Sequence, residues 1–310
     1  MKVIFMGTPE FSVGTLEAIH QAGHEIVLCV TQPDKKKGRG EKLCYPPVKE
    51  KALELGIPVF QPDKIRKPEH IAELKKYQAD VSVVIAFGQI LPKEILEMTP
   101  YGCVNVHASL LPKYRGAAPI QWAILNGEKT SGVTTMQMDE GLDTGDMLLE
   151  EEIVLAKKET AGSLHDKLSK VGASLLVKTL EELEKGTITP RKQGESPTEY
   201  AKMINKEMGK IDWHKDAHSI ERLIRGMNPW PSAYTKLGNK VFKIWDADVL
   251  EEDSTASPGT ITKVKKDAIV VATKKGQLEI KCLQQQGKKL MNCDAYLCGH
   301  RPEVGETFTN

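Results

Sequence analysis

The sequence predicts an α/β protein: a Rossmann-like, doubly wound, mostly parallel sheet, followed by a smaller, OB-like antiparallel β-barrel. In the first part of the chain, short apolar runs alternate with stretches of helical apolar spacing, which is the pattern of strands and crossover helices in a parallel sheet. In the last part, short β-rich runs follow one another at regular spacing between turn residues, which is typical of a small barrel.

The alternation begins at the first residues. An apolar run at 2–6 ends at Gly7, and Pro9 stands where a helix that reaches Ala22 can begin. The nearly continuous apolar run at 81–88 predicts a central strand, because helices cover both faces of such a strand. The other predicted elements of this part are strands at 25–32, within 102–112, at 130–139 and at 146–155, and helices at 48–56, 68–77, 118–127 and 163–185.

The alternation stops between Thr187 and Lys210, where the chain becomes polar and contains two prolines. We interpret this stretch as a partly helical linker. The sequence therefore predicts a first domain at 1–189, a linker at 190–207 and a barrel domain at 208–310.

The charge balance gives no sign of a dedicated nucleic-acid binder, because 43 Lys plus Arg against 42 Asp plus Glu leave a net charge of only +1 in 310 residues. Along the chain, however, the charges are segregated. Residues 208–310 hold 16 basic and 13 acidic residues, a net +3, and residues 33–49 hold six and two, a net +4. A basic stretch of this kind fits an ordinary solvated loop as well as a phosphate-binding surface.

No apolar run reaches the roughly 18 residues that a membrane span needs, and the N-terminal residues meet Gly and Pro too early for a signal peptide. We therefore expect a soluble, cytoplasmic protein with reduced thiols.

Four possible metal ligands lie near one another in the sequence: Cys282, Cys293, Cys298 and His300. They contain no tight CxxC pair, so we expect ordinary packing there and no metal.

The first strand and turn do not match a known nucleotide motif. The segment 7–14 (GTPEFSVG) has two glycines but neither the GxGxxG nor the GxxxxGK[ST] spacing, so we discount a nicotinamide cofactor. In a doubly wound sheet, a ligand is still expected in the crevice beyond the carboxyl ends of the strands.

Polar side chains lie at two such strand ends. Asn105 and His107 are two residues apart on a strand, so their side chains share one face. An amide beside an imidazole can combine an oxyanion donor with a proton acceptor, and Asp143, in a Gly-rich loop, can orient the imidazole. No GxSxG elbow accompanies them, which argues against a covalent hydrolase. Each residue also has a structural interpretation, because polar groups at strand ends often satisfy the backbone and Asp is a common turn residue.

Two long motifs resemble the core of the folate-dependent formyltransferase family: NVHASLLPKYRGAAPIQ at 105–121 and GVTTMQMDEGLDTGDML at 132–148. The start MGTPEFSVGTLEAI and the segment QPDKKKGRGEKLCYPPVK are similar to the members that formylate methionine on an initiator tRNA. The resemblance covers the whole chain and implies a catalytic domain, a linker and a tRNA-binding C-terminal barrel. It also implies 10-formyltetrahydrofolate as the formyl donor, no metal, and a monomer.

The resemblance implies three groups of site residues in this chain. The catalytic residues are Asn105, His107 and Asp143. The tetrahydrofolate-binding residues are Ser109, Leu110, Leu111 and Pro112. The tRNA-binding residues are Arg39, which the resemblance places at the acceptor end, with Lys35, Lys36, Lys37 and Lys42. Ala108 follows the histidine where relatives that act on glycinamide ribonucleotide commonly have Pro.

Two alternatives remain open at this point. A folate-dependent formyltransferase that acts on a small amine, such as an amino sugar nucleotide, would use the same catalytic residues, but it would need neither the Arg39 stretch nor the barrel. An RNA-binding protein that kept the fold without activity would not need the intact Asn105, His107 and Asp143.

Overall fold

The computed structural model of the protein describes residues 1–37 and 42–309. The chain forms two compact units, each assembled from more than one stretch of sequence. The first unit consists of Met1–Pro119, Thr130–Val154 and His165–Ala201, and the second of Ile120–Lys129, Leu155–Leu164 and Lys202–Asn310. The predicted catalytic and folate-binding residues therefore all belong to the first unit.

The helices and strands follow the predicted alternation closely. Up to residue 185 they are β1 (Lys2–Gly7), α1 (Glu10–Gln21), β2 (Glu25–Val30), β3 (Lys35–Lys37), β4 (Lys42–Cys44), α2 (Pro47–Glu54), β5 (Val59–Phe60), α3 (Pro68–Leu74), β6 (Val81–Ile85), α4 (Lys93–Leu96), β7 (Cys103–His107), α5 (Pro119–Leu125), β8 (Thr130–Gln137), β9 (Met147–Val154) and α6 (Ala161–Lys185). A 3₁₀ helix (Lys206–Gly209) follows, and then α7 (Ala217–Gly226), β10 (Ala233–Leu237), β11 (Lys240–Leu250), β12 (Ile261–Val264), β13 (Ile269–Ala272), β14 (Gln277–Gln285), β15 (Met291–Asn292), α8 (Cys293–Gly299) and β16 (Phe308–Thr309).

The sheet of the first unit has seven strands in the order β5-β2-β1-β6-β7-β8-β9. The five strands from β5 to β7 run parallel, whereas β8 and β9 are antiparallel to their neighbours. This confirms the predicted mostly parallel, doubly wound sheet, with the fully buried β6 at its centre. The strand order reverses between β1 and β6, so the crevice expected for a ligand lies at the carboxyl ends of these strands.

Helix α6 covers one face of β7 and β8. A Cβ added at Gly172 would lie 2.9 Å from Cγ1 of Val106, so the helix backbone approaches this strand closely. The hydroxyls of Thr135 and Thr179 lie 2.9 Å apart in the same interface. The side chains on the opposite face of β7 are left for the ligand crevice, because successive residues of a strand alternate between faces.

The basic stretch at 33–49 contains a short antiparallel ribbon, which the sequence does not predict. Strands β3 and β4 pair with Lys35 opposite Cys44 and Lys37 opposite Lys42. These strands are not visible in the sequence, because KKK and KLC are too short to show the apolar alternation that identifies a strand.

The sheet of the second unit follows the antiparallel order β12-β13-β14-β11-β10-β16, and β15 pairs with β14. Two backbone hydrogen bonds of 2.8 Å join the ends of this path: Phe308 N–H to the Gly259 carbonyl, and Ile261 N–H to the Glu306 carbonyl. Inside, the ring of Trp213 stacks on Phe308 with 5.7 Å between centroids. The predicted small C-terminal antiparallel sheet, curled as in a barrel, is confirmed.

The helices of the described residues are all too short or too polar to cross a bilayer. The longest, α6, is amphipathic and carries charged side chains along its exposed face.

Candidate active site

Asn105 and His107 lie at the carboxyl end of β7, on the face opposite Val106 and helix α6. His107 is 6% exposed, whereas Asn105 is half-buried. Among the residues that the structure describes, none forms a hydrogen bond with the side-chain amide of Asn105. A half-buried amide with free donor and acceptor groups is suited to bind a polar ligand.

Both ring nitrogens of His107 face fixed groups. Nε2 lies 3.0 Å from the carbonyl oxygen of Tyr114, and because a carbonyl can only accept, Nε2 carries the proton of this hydrogen bond. Nδ1 lies 3.8 Å from Oδ2 of Asp143, which is too long for a hydrogen bond but close enough for an ion pair. The ring is therefore held in one orientation, with Nδ1 directed to the carboxylate.

Asp143 lies in the tight turn between β8 and β9. Its φ angle of 56° is in the left-handed region, which Asp adopts more readily than most residues. Oδ2 accepts a hydrogen bond of 2.9 Å from the backbone N–H of Gly116. The turn needs glycine at position 145, since a Cβ there would overlap the carbonyl oxygen of Gln137.

The predicted folate-binding segment, Ser109–Pro112, forms a turn that is tied to β8. Oγ1 of Thr134 accepts from the N–H of Leu111 at 3.0 Å and donates to the carbonyl of Ser109 at 2.8 Å. Oγ of Ser109 donates to the carbonyl of Lys113 at 2.6 Å, so this hydroxyl shapes the turn. Ser109 and Leu111 are buried, whereas Leu110 and Pro112 are half-buried.

A cavity of about 120 Å³ opens beside Asp143, between the loop after β6 and the turn before β9. Leu91 and Met136 are buried at its wall, whereas Ile90 and Leu142 at its edge are 77% and 59% exposed. Large apolar side chains that are exposed to solvent next to a polar site indicate a binding surface for an apolar or aromatic group.

The segment 191–201, which lies within the linker predicted at 190–207, also contacts the site. Gln193 Nε2 donates to the carbonyl oxygens of Asp143 and Gly145, at 2.9 and 2.7 Å. Gln193 Oε1 accepts from Nε of Arg115 at 2.9 Å. The sequence does not point to Gln193, because its partners are 48, 50 and 78 residues away and no local pattern marks such contacts.

The structure describes only part of the predicted tRNA-binding group. The side chains of Lys35 and Lys36 are exposed on β3, and Lys37 and Lys42 are opposite each other in the backbone register. Arg39 lies outside the described residues.

Asp34 anchors the chain at the start of this ribbon. Its carboxylate accepts a hydrogen bond of 2.7 Å from Gln61 and two from Nζ of Lys49, at 2.9 and 2.7 Å. These bonds, from Gln61 first and then Lys49, hold the pKa of the Asp34 carboxyl below its usual range. Lys49 also lies 3.9 Å over the ring centre of Tyr45, so this lysine of the basic stretch is engaged within the protein.

No metal centre is formed by the described residues, since none of their His, Cys, Asp and Glu side chains assemble in groups of three or more that could hold an ion. Cys282, Cys293 and Cys298 are free thiols.

The fold and the site together define an α/β enzyme whose polar groups, an amide, an imidazole and a carboxylate at the carboxyl edge of a sheet, suit acyl transfer. Two family models match the chain: "Formyl transferase" over residues 1–180 and "Formyl transferase, C-terminal domain" over residues 203–301. The chain belongs to the formyl transferase family.

Relatives agree with this assignment, and a solved structure shares the fold. The chain is 57% identical over 309 residues to the methionyl-tRNA formyltransferase of Agathobacter rectalis, with 100% of both chains covered, and 54% identical to that of Lachnospira eligens, with 98% of both covered. A solved N-formyltransferase from Helicobacter canadensis, in complex with folinic acid and dTDP-3-aminofucose, has a TM-score of 0.68 at 21% identity and covers 90% of this chain and 98% of that one. At that identity, the structural likeness shows the fold alone.

Proposed function

We propose that this protein transfers the formyl group of 10-formyltetrahydrofolate to the free α-amine of methionine esterified to the initiator tRNA. The observation that carries the substrate assignment is the identity of 57% and 54%, over essentially the full chain, to methionyl-tRNA formyltransferases. The site geometry supports the chemistry, because an oriented imidazole, a carboxylate and an amide that is hydrogen-bonded to none of the described residues lie together at one end of β7.

The reaction exchanges one C–N bond for another. The methionine nitrogen bonds to the formyl carbon, the bond from that carbon to N10 of the folate breaks, and one proton moves from the amine to N10. An α-amine has a pKa of about 8, so a useful fraction is neutral and nucleophilic at pH 7. The enzyme's main tasks are therefore to position the two substrates and to stabilise charge during the transfer.

Asn105 and His107 provide the charge stabilisation in this mechanism. As the amine adds, negative charge develops on the formyl oxygen, and the Asn105 amide can donate a hydrogen bond to it. Because Nε2 of His107 is bonded to Tyr114, Nδ1 is the ring nitrogen left to donate to the oxygen when the imidazole is protonated.

Asp143 handles the proton and the orientation of the ring. Oδ2 is held by the Gly116 N–H and faces Nδ1 of His107, which keeps the imidazole in place. The described residues form no hydrogen bond with Oδ1, so this oxygen can accept the proton that the amine loses, directly or through one water.

The donor side of the site fits a folate. The apolar cavity beside Asp143 can take the flat ring system, with Ile90 and Leu142 covering it. Within the segment of Ser109, Leu110, Leu111 and Pro112, the half-buried Leu110 and Pro112 supply apolar contact, and the buried Ser109 and Leu111 hold the turn in place.

The tRNA side involves two basic surfaces. Arg39 and the lysines of the ribbon, Lys35, Lys36, Lys37 and Lys42, bind the acceptor end in this proposal. Six lysines of the second unit are exposed and suit contact with phosphates: Lys263, Lys266, Lys274, Lys275, Lys288 and Lys289. Lys265 differs from them, because it is ion-paired with Glu279.

The same proposal assigns roles along the chain: a catalytic domain at 1–189, a linker at 190–207 and a tRNA-binding domain at 208–310. It also includes a monomeric protein in the cytoplasm, where aminoacylated initiator tRNA and reduced folates are at hand. Size-exclusion chromatography with light scattering tests the monomer, and a mass near twice 34.3 kDa would contradict it.

One assay tests the function. The purified protein is incubated with 10-formyltetrahydrofolate and methionyl initiator tRNA, the ester is hydrolysed, and formylmethionine is separated from methionine. Methionyl elongator tRNA, free methionine and an amino sugar nucleotide serve as comparison acceptors. Formylation of the initiator tRNA in preference to the others is expected, and transfer to the sugar nucleotide with none to the tRNA would overturn the substrate assignment.

A further inference from the structure

The segment 191–201, which we call the strap, ties together the two loops that hold the catalytic side chains. At one end, Arg191 and Met147 exchange two backbone hydrogen bonds of 2.8 Å. At the other end, the N–H of Ala201 donates to the carbonyl of Arg115, and Oγ1 of Thr198 accepts from the N–H of Tyr114, both at 2.8 Å.

Gln193 is the side chain of the strap that touches both loops. Its amide NH₂ group donates to the carbonyls of Asp143 and Gly145, and its oxygen accepts from Arg115. Two carbonyls on one side and a guanidinium on the other fix which way the amide is turned, since carbonyls only accept and a guanidinium only donates. The guanidinium of Arg115 also donates to the carbonyl of Gly194, at 2.9 Å.

The two loops are the ones that set the His107–Asp143 geometry. The first supplies the Tyr114 carbonyl that orients the His107 ring and the Gly116 N–H that holds the Asp143 carboxylate. The second carries Asp143 itself. A displacement of one loop relative to the other would therefore change the 3.8 Å separation between Nδ1 of His107 and Oδ2 of Asp143.

We infer that Gln193 is a positioning residue for formyl transfer: it fixes the Asp143 turn against the Tyr114–Gly116 loop and so sets the distance between Asp143 and His107. The inference rests on the proposed function. Gln193 acts through Asp143 and is not itself assigned a contact with either substrate. A misplacement of a catalytic group by about 1 Å is enough to lower turnover by roughly 100-fold.

The test uses two substitutions and a control in the full-length protein. Gln193→Met keeps the volume but removes all three hydrogen bonds, and Gln193→Glu keeps an acceptor for Arg115 while placing a carboxylate oxygen against two carbonyls. The control is Glu195→Gln, at an exposed position of the strap. For both Gln193 variants we expect kcat to fall roughly 10- to 100-fold, with KM for the tRNA and the folate changed by less than about threefold.

A double-mutant cycle with Asp143→Asn separates positioning from general destabilisation. If Gln193 acts through Asp143, Gln193→Met lowers kcat by less than about twofold in the Asp143→Asn background, whereas independent effects would multiply. Circular dichroism melting shows that each variant is folded at the assay temperature.

The outcomes distinguish this inference from the proposed function. If the wild-type protein forms no formylmethionyl-tRNA, the proposed function fails. If the wild-type protein is active and Gln193→Met or Gln193→Glu retains its kcat, or if the losses from Gln193→Met and Asp143→Asn multiply, the positioning role is overturned.

Discussion

His107 and Asp143 face each other with 3.8 Å between Nδ1 and Oδ2, and each is fixed by a backbone group of the same short loop, the Tyr114 carbonyl and the Gly116 N–H. Neither side chain satisfies the other with a direct hydrogen bond. Their separation is therefore set by the fold around them, and the pair remains open for a substrate group or a water.

Removal of either donor at the strand end should abolish most turnover. We expect Asn105→Ala and His107→Ala to lower kcat by about 10²–10³, the usual cost of a lost oxyanion donor, with tRNA affinity largely unchanged. Steady-state kinetics and filter binding measure the two quantities, and Asn239→Ala, at an exposed turn of the second unit, is the matched control. Near-normal formyl transfer by both variants would refute the catalytic assignment.

Two substitutions of Asp143 should distinguish a loss of activity from a loss of stability. Asp143→Asn keeps an acceptor for the Gly116 N–H and tolerates the φ of 56°, so we expect a folded but poorly active enzyme. Asp143→Ala loses the bond and strains the backbone, which should lower the free energy of unfolding by a further ~1–2 kcal/mol. Urea unfolding measures this difference, and equal stability of the two variants would contradict the structural part of the prediction.

Arg39 should contribute to tRNA binding and not to the formyl-transfer step. We expect Arg39→Ala to raise KM for initiator tRNA and to weaken discrimination at the acceptor end, with kcat for saturating tRNA little changed. Kinetics on matched tRNAs that differ only at the acceptor end provide the measurement. Substitution of Glu54, an exposed acidic residue ion-paired with Lys51 at 2.5 Å, serves as a surface control. Unchanged kinetics for Arg39→Ala would refute the role.

The N-cap of α7 should give the second unit a pH-dependent contribution to stability. The hydroxyl and N–H of Ser219 donate to the Asp216 carboxylate at 2.7 and 2.9 Å, and this side-chain bond is the first cause that lowers the pKa of Asp216. A lowered pKa means that the stabilisation is complete above the unfolded value, near pH 4, and is lost as the pH falls through the folded value.

The corresponding variant is Asp216→Ala. We expect it to lower the free energy of unfolding by about 1 kcal/mol at pH 7 and by progressively less below about pH 4. Asp216→Asn retains the acceptor and should lose little at any pH. A difference between wild type and Asp216→Ala that grows on acidification would contradict the prediction.

Thiol reactivity should follow burial. Burial raises the pKa of Cys29, Cys103 and Cys293 to about 12, so these groups are not thiolates at pH 8. Cys298 is exposed. With Ellman's reagent at pH 8 we expect a fast phase that Cys298→Ser removes, whereas the three buried thiols react only in denaturant. A fast phase that persists in Cys298→Ser would argue against this assignment.

The sequence predicted the parts of the fold that local patterns determine. The run at 81–88 is apolar on both faces, so its central position in the sheet followed from composition, and β6 lies there. Strands β3 and β10 escaped prediction, because KKK and AYTKL carry too little apolar alternation to differ from a loop.

The candidate site also has parts that the sequence predicts and parts that it does not. Asn105 and His107 share a short strand, so their common face could be derived from a period of two. The hydrogen bond from His107 to the Tyr114 carbonyl and the one from the Gly116 N–H to Asp143 could not be derived, because they depend on how the loop at 114–116 closes, and Gly116 is 27 residues from Asp143. Gln193 is further still from its partners, in a polar segment without a motif.

The contacts of the strap also determine where the chain can be truncated without loss of support for the catalytic loops. A fragment that ends at residue 189 would lack Gln193, the Thr198 hydroxyl and the Ala201 backbone, although it contains every residue named for catalysis. A fragment that continues to Ala201 would retain all of them within the first unit. For truncation work that must keep the catalytic residues and the strap together, the chain should be cut after residue 201 and not after residue 189.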